Sequence, residues 1–339
     1  MQTHSRPFVL FAVFLLASAF TTAAGQIPAP PRYVMVIHGG AGTIRRESMT
    51  PALEKAYRDT LTIALRRGYE ILARGGSSLD AVEATVRVME DSPLFNAGKG
   101  AVFTSAGTNE LDAAIMDGRS LAAGAVAAVQ HVRNPISLAR LVMEKSPHVM
   151  MVGAGAEEFA KLQGVELVPA SYFRTERRWE QLQREKRAAD SARKSTTLTE
   201  DTKFGTVGAI ALDKAGNLAA ATSTGGTSSK RYGRVGDTPI IGAGTYASPS
   251  CAVSATGAGE FFIRNNVAAD ICARAKYTGV SIERAADDVV MKVLVAQKGE
   301  GGVIAMDGKG NIAAPFNTSG MYRGWVTADG VIVIRIFRD

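Results

Sequence analysis

Apolar positions along the 339-residue chain recur with two periods, near 2 and near 3.6, and their succession sets out the elements. Residues 33–37 form a β-rich run that delivers the chain into a glycine turn, His38-Gly39-Gly40-Ala41-Gly42. Across 51–73, Leu53, Ala56, Leu61, Ala64, Leu65, Tyr69 and Leu72 fall near helical spacing, and Gly75-Gly76 stops that helix. A second helix starts at Ser77 or Ser78 and runs to about Met89. Strands are predicted at 113–116 and 122–129 around Asp117-Gly118, a helix from Asn134-Pro135 to Lys145, and a short buried strand at 148–152.

Residues 174–203 differ in kind: charged throughout, poor in apolar residues after Leu182, and read as an exposed helix followed by a linker over about 186–205. Beyond it lies a repeat. Residues 207–225 and 302–320 each run apolar strand, Asp-x-x-Gly-Asn turn, apolar strand, centred on Asp213-Asn217 and Asp307-Asn311. A third hairpin turns at Asp329-Gly330, and helices are predicted at 260–275 and 281–297. Hairpins with helices between them argue for antiparallel sheet covered by helices, a layered α+β fold.

Composition agrees with a folded chain: 46% hydrophobic and 21% charged residues are ordinary globular values. Its 35 glycines follow no Gly-x-y period, which excludes collagen and calls for many tight turns. At the start, Arg6 precedes an apolar run over 7–20 and then Thr22, Ala23, Ala24 and Gly25, the order of a secretory leader. That run is too short to span a bilayer, so the expectation is a leader over 1–24 and an exported protein, periplasmic or secreted, without a membrane segment. Removing it changes the net charge from +7 to +6. Arg174, Arg177, Arg178, Arg184, Lys186, Arg187, Arg193 and Lys194 carry much of that charge but are interleaved with acids, the pattern of a solvated helix rather than of a nucleic-acid footprint. Cys251 and Cys272 are the only cysteines; a disulfide and two buried thiols both fit them.

Several chemistries lack their residues. His38, His131 and His148 form no HExxH, and no CxxC occurs. His38-Gly39-Gly40 has no Gly-x-Ser-x-Gly elbow to serve, and Gly153-Ala-Gly155 and Gly242-Ala-Gly244 are incomplete dinucleotide fingerprints. Hydroxyls remain. Thr206 stands where a polar linker meets a buried strand; a threonine made N-terminal by cleavage after Gly205 gains its own α-amine, of pKa near 7.7–8.0, as a base. On its own it also reads as a β-branched residue opening a strand. Thr222-Ser-Thr224-Gly-Gly226 ends the partner strand and can set a second hydroxyl beside it. Arg234 and Asp237 offer a fork for a carboxylate and an acceptor for an ammonium. Thr256-Gly257-Ala-Gly259 brings N–H groups and a hydroxyl to a helix start, suited to an oxyanion.

With these residues the chain resembles the plant-type asparaginase and isoaspartyl peptidase family of N-terminal nucleophile hydrolases. The matching stretches are His38-Gly-Gly-Ala-Gly42, Pro93-Leu-Phe-Asn-Ala-Gly98, Gly205-Thr-Val-Gly-Ala209, Thr222-Ser-Thr-Gly-Gly226, Gly233-Arg-Val-Gly-Asp237, Thr256-Gly-Ala-Gly-Glu260 and Pro315-Phe-Asn-Thr318. The resemblance implies a four-layer αββα sandwich, one domain made of two chains, about 25–205 and 206–339, cut at Gly205–Thr206. Thr206 would be the nucleophile, with Thr224 bonding its hydroxyl, Arg234, Asp237 and Gly259 holding the aspartyl end, Thr256 and Gly257 the oxyanion hole, and Asn96 a support. It implies no catalytic cofactor, a structural sodium in a loop matching Met89, Glu90, Ser92, Phe95, Ala97 and Lys99, and a dimer of processed protomers. L-asparagine and β-aspartyl dipeptides would be the substrates. A glycosylasparaginase-type amidase and a non-catalytic exported amino-acid-binding protein are the alternatives.

Overall fold

The computed structural model describes Met1, Gln2, 32–192 and 205–338. Met1–Pro30 is a unit of its own. Apart from Met1 and Gln2 the leader lies outside the described residues, as does the 193–204 stretch of the linker.

Within Pro31–Asp339 the chain runs β1 (Val34–Gly42), α1 (Pro51–Ala73), α2 (Ser78–Glu90), β2 (Leu111–Asp117), β3 (Ala123–Val129), α3 (Pro135–Lys145), β4 (Met150–Val152), α4 (Gly153–Leu162) and α5 (Glu176–Ala192). It continues with β5 (Val207–Leu212), β6 (Leu218–Thr224), β7 (Thr245–Ser248), β8 (Cys251–Gly257), α6 (Gly259–Asn265), α7 (Val267–Thr278) and α8 (Ile282–Asp287). A π-helical turn, Asp288–Leu294, precedes β9 (Gly301–Asp307), β10 (Ile312–Ala313), β11 (Gly320–Val326) and β12 (Ile332–Phe337). Capping follows the residue chemistry: Thr50 accepts the Leu53 N–H ahead of Pro51, and Ser77 accepts that of Asp80.

Eight strands form one sheet in the order β12-β11-β1-β5-β6-β2-β3-β4, and four form a second, β10-β9-β8-β7. All pairings are antiparallel except β3 with β4. Strand parity decides the layers, because alternate side chains leave opposite faces of a sheet. Met35, Ile37, Ala209, Ala211, Ala219 and Ala221 join a core with residues of α1 to α4, whereas Val34, Val36, Ile210, Leu212, Leu218 and Ala220 meet Ala252, Ile304 and Met306 of the second sheet. Val253, Ala255, Val303 and Ala305 face the other way, onto α6 to α8. The fold is α+β, as expected, with both sheets packed between helices.

The repeated turns are chemically alike. Asp213 Oδ1 accepts the N–H groups of Ala215 and Asn217, and Asp307 Oδ1 those of Lys309 and Asn311. Yet β5–β6 lies in the large sheet and β9–β10 in the small one. Cys251 on β8 and Cys272 on α7 form a disulfide, fastening strand to helix; a bridge closing a loop of this size contributes about 3 kcal/mol.

Five expectations need correction. The stretch 38–42 is not a turn but the second half of β1, which stays paired to β11 through Gly42 with a register shift between His38 and Gly40. The strand at 148–152 is shorter, Met150–Val152, and exposed: it is the sheet's edge, where Val152 is 58% accessible. The helix at 260–275 is two helices, divided at Asn266, whose left-handed φ of 48° ends the first. The helix at 281–297 starts at Ile282 as an α-helix and widens into the π turn after Asp287. The charged α5 is not merely solvated, since Arg177 donates to Leu94 O, Arg178 to Gly100 O, and Trp179 packs edge-on against Phe103. Among the described residues, no helix is long and apolar enough to cross a membrane.

Candidate active site

Thr206 immediately precedes β5, and Val207 pairs with Ser223 across the hairpin. Even-numbered residues of β5 and β6 face the second sheet, so Thr206 and Thr224 share that side and their hydroxyl oxygens lie 3.0 Å apart. The expectation that Thr222-Ser-Thr224 would supply the neighbouring hydroxyl holds at Thr224, whose oxygen also accepts the Gly226 N–H at 3.0 Å. Ser223, of the opposite parity, turns to the helix side and donates to the buried carboxylate of Glu90.

Asn96 clamps the turn after β6. Its amide donates to Gly226 O at 2.7 Å, its side-chain oxygen accepts the Val102 N–H at 2.9 Å, and its own carbonyl accepts the Gly225 N–H. It also packs near Gly205, on the N-terminal side of Thr206. Asn96, read as a supporting residue, thus lies beside the Gly205–Thr206 junction.

A narrow cleft opens at Thr206, with Gly205, Thr224, Gly226, Thr227, Arg234, Gly236, Asp237, Thr238 and Gly257 on its walls. With the Gly205–Thr206 bond intact it has hardly the room of one water. Arg234 is held along one edge by Glu260, Nε to Oε1 at 2.9 Å and Nη2 to Oε2 at 3.1 Å. This forked pair aims the guanidinium and holds the Glu260 carboxyl below the usual range. Asp237 is buried, and its Oδ2 makes no hydrogen bond among the described residues. Desolvation pushes its carboxyl up to about 7, against the opposing pull of Arg234. A buried acceptor in this condition is completed by a cationic donor. Gly259 opens α6 between Arg234 Nη2 and Asp237 Oδ1, so close to both that a side chain there would collide with them.

Thr256 is fully buried, and its hydroxyl oxygen accepts the Ala41 N–H at 3.3 Å; the next residue, Gly257, reaches the cleft wall. Thr206, Thr224, Arg234, Asp237 and Gly257 thus line one cleft, with Gly259 against the Arg234–Asp237 pair and Thr256 directly behind.

In the loop proposed for sodium, Glu90 O turns toward Gly98 and Phe95 O toward Gly100, carbonyl donors of the type a hard cation takes. Met89 O and Ala97 O already accept N–H groups from Ser92 and Gly100. Lys99 points its ammonium over Tyr172, 5.4 Å from the ring centre. Among the described residues no three His, Cys, Asp or Glu side chains cluster for a metal.

Three groups escaped the sequence reading. Glu260 closes a quoted motif, but only folding shows that it grips Arg234, 26 positions away. Asp112, a lone acid within an apolar strand, was a readable signal; it pairs with Thr224 in register, and Lys230 Nζ lies 4.0 Å from its Oδ2. His38 stands behind Thr206 and bonds its carbonyl.

A family model described as Asparaginase matches residues 31–336. The chain is 52% identical over 309 residues to an isoaspartyl peptidase of Escherichia coli, covering 90% of this chain and 96% of that protein. It is equally similar to the isoaspartyl peptidase of Salmonella typhimurium, covering 90% and 99%. To an isoaspartyl peptidase/L-asparaginase of Rattus norvegicus it is 41% identical over 320 residues, covering 90% and 92%.

Proposed function

The chain belongs to the asparaginase family of hydrolases, and from that membership we propose a precursor that cuts its own Gly205–Thr206 bond and then hydrolyses β-aspartyl amides at the threonine so freed. The observation that carries this reading is the single cleft in which the paired hydroxyls of Thr206 and Thr224 meet Arg234 and Asp237. The relatives named isoaspartyl peptidase and L-asparaginase support both β-aspartyl dipeptides and L-asparagine as substrates.

In the first stage Thr206 Oγ attacks the Gly205 carbonyl carbon, the Gly205–Thr206 C–N bond breaks as its nitrogen takes a proton, and water hydrolyses the resulting ester. Gly205 keeps a carboxylate and Thr206 a free amine. In the second stage that amine takes the Oγ proton while Oγ attacks the substrate β-carbonyl. The oxyanion rests on Thr256 and Gly257. The leaving amine departs with the proton, and water releases L-aspartate from the ester. Arg234 pairs with the substrate α-carboxylate and Asp237 with its α-ammonium, and Gly259 leaves room for both. The leaving group is gripped by neither, so ammonia and an amino acid can both depart.

Around this chemistry the proposal includes a four-layer αββα sandwich of two chains, an exported protein freed of its 1–24 leader, and a dimer of processed protomers. A sodium ion held by carbonyl oxygens of the Met89 to Lys99 loop would brace Asn96 without taking part in catalysis. The crowded cleft of the uncut chain supports the order of events: substrate fits only after the segment ending at Gly205 is released.

Intact-mass measurement and N-terminal sequencing of the purified full chain test the proposal. The expected result is a 134-residue fragment beginning Thr-Val-Gly-Ala-Ile, with aspartate released from L-asparagine and from a β-aspartyl dipeptide. A chain that stays whole on prolonged incubation would sink the reading.

Asp237 gives the reaction a pH signature. Burial raises its folded-state pKa to about 7, so the carboxylate that balances the ammonium is present above that pH and lost as pH falls through it. KM for L-asparagine should therefore rise by about tenfold per unit below pH 7, while kcat follows the Thr206 amine. Steady-state kinetics between pH 5 and 8.5 check this, and a KM that stays flat across that window would contradict the role of Asp237.

A further inference from the structure

Behind Thr206 lies a line of buried groups that the proposed chemistry leaves unused. His38 on β1 contacts Thr206 O through Nδ1 at 3.1 Å and Ser254 Oγ through Nε2 at 2.8 Å. Ser254 Oγ lies 2.7 Å from Thr222 Oγ1, which in turn lies 2.7 Å from Thr245 Oγ1. His38, Ser254, Thr222 and Thr245 are all completely buried. The line crosses between the sheets, from β7 to β6, β8 and β1, and ends on the nucleophile's own peptide plane.

Next to Thr206 the hydrogens have one consistent arrangement. A carbonyl oxygen only accepts, so Nδ1 carries the imidazole proton. Burial lowers the His38 pKa to about 3, so the ring is neutral and Nε2 must accept from Ser254. The Ser254 hydroxyl proton is thereby used, and Thr222 donates to Ser254. The direction runs from Thr222 through Ser254 and His38 to Thr206 O; the Thr245 hydroxyl reaches both Thr222 Oγ1 at 2.7 Å and Thr238 O at 3.1 Å and has one proton for the two. Gly208, paired with His38 in register, makes the space: a Cβ there would overlap both Ser254 Oγ and His38 Nε2.

We infer that His38 is a positioning residue for the nucleophile, holding the Thr206–Val207 peptide plane through its Nδ1–H while Ser254 sets its tautomer. This rests on Thr206 being the nucleophile, as proposed above. In the uncut chain Gly205 tethers Thr206 from one side. Once that bond is broken, the tether is gone, and the carbonyl contact with the hydroxyl contact to Thr224 must keep Cα in place. Oγ and the new amine both ride on that Cα, so its displacement misdirects attack and proton transfer together. Substrate binding, carried by Arg234 and Asp237, does not depend on it. Ser254 is two residues before Thr256 on β8, so the same line also ties the nucleophile's strand to the strand of the oxyanion hole.

The test compares the full-length protein with its Thr206→Ala, His38→Asn and His38→Gln variants, following cleavage by mass, Tm, and kcat and KM for L-asparagine. An asparagine amide can place an N–H where imidazole Nδ1–H stood, whereas a glutamine amide reaches the Nε2 position and abandons the carbonyl. We expect His38→Asn to keep kcat within about tenfold and His38→Gln to lose about 100-fold, both with KM within about threefold. Equal losses for the two variants, losses that follow Tm, or a change confined to KM would leave His38 as core packing and overturn the inference. An uncut, inert wild-type chain would instead overturn the reading of Thr206 on which it rests. A measurement without His38 substitutions guards against misfolding: in the ¹⁵N-histidine-labelled wild type, His38 should be neutral and protonated at Nδ1 at pH 6. An Nε2–H tautomer or a charged ring would refute the arrangement.

Discussion

Thr206→Ala should purify as one uncut chain and hydrolyse L-asparagine slower than the wild type by on the order of 10⁴-fold or more. Two losses coincide in this variant. Alanine has no oxygen to attack the Gly205 carbonyl, so the α-amine proposed as base is never freed, and no acyl-enzyme can form. The fold should be unaffected, because Thr206 makes its one side-chain hydrogen bond, to Thr224, at the start of β5, and the core beneath it is the apolar packing of Ala209, Ile210 and Leu212. Mass spectrometry, an aspartate-release assay and a melting curve on the same sample separate these effects. An uncut variant that still releases aspartate would show that the nucleophile lies elsewhere. A variant that is still cut between 205 and 206 would show that cleavage is not its own work.

Arg234→Leu has the second largest expected effect: kcat/KM for L-asparagine down by about 10³-fold, mostly through KM. The guanidinium is aimed by the forked contact with Glu260 and stands beside the buried Asp237. Removing it leaves a substrate carboxylate facing Asp237 in a poorly hydrated cleft, and losing one member of such a charge pair costs roughly 2–5 kcal/mol. Arg234→Lys should recover little, since an ammonium cannot bond Glu260 and a substrate carboxylate in one plane. Asparagine and its α-carboxamide analogue, assayed side by side, check the assignment. The wild type should strongly prefer the carboxylate, and Arg234→Leu should lose that preference. An undiminished preference would move the carboxylate subsite away from Arg234.

Much of the candidate site was legible because its chemistry is local. A threonine between a polar linker and a buried strand, two hydroxyls closing the return strand, and an arginine three residues before an aspartate in a glycine-rich loop are all visible within short stretches. The two Asp-x-x-Gly-Asn hairpins were readable for the same reason, since Asp213 Oδ1 and Asp307 Oδ1 each bond N–H groups of their own turn. The misreadings also have a common cause. An apolar run such as Met150–Val152 looks the same at a sheet's edge as in its centre, and only its neighbours tell them apart. The charged face of α5 looked solvated until the 93–100 loop was seen against Arg177 and Arg178.

By itself the sequence determined the α+β class, the family and most of the elements, though not α4, β7 or β8. It also placed Thr206 and Thr224 on the two strands of one hairpin, where the observed register Val207 with Ser223 sets them on one face. The tertiary structure decided which distant residues that face meets. It joined Cys251 to Cys272, set Glu260 on Arg234, buried Asp237 with its Oδ2 unbonded among the described residues, and brought His38 and Ser254 together from 216 positions apart behind Thr206. Pairing between remote strands and the packing of one sheet on another are set by the whole buried surface. A polar residue's partners and its ionisation follow from that surroundings rather than from its neighbours in the chain.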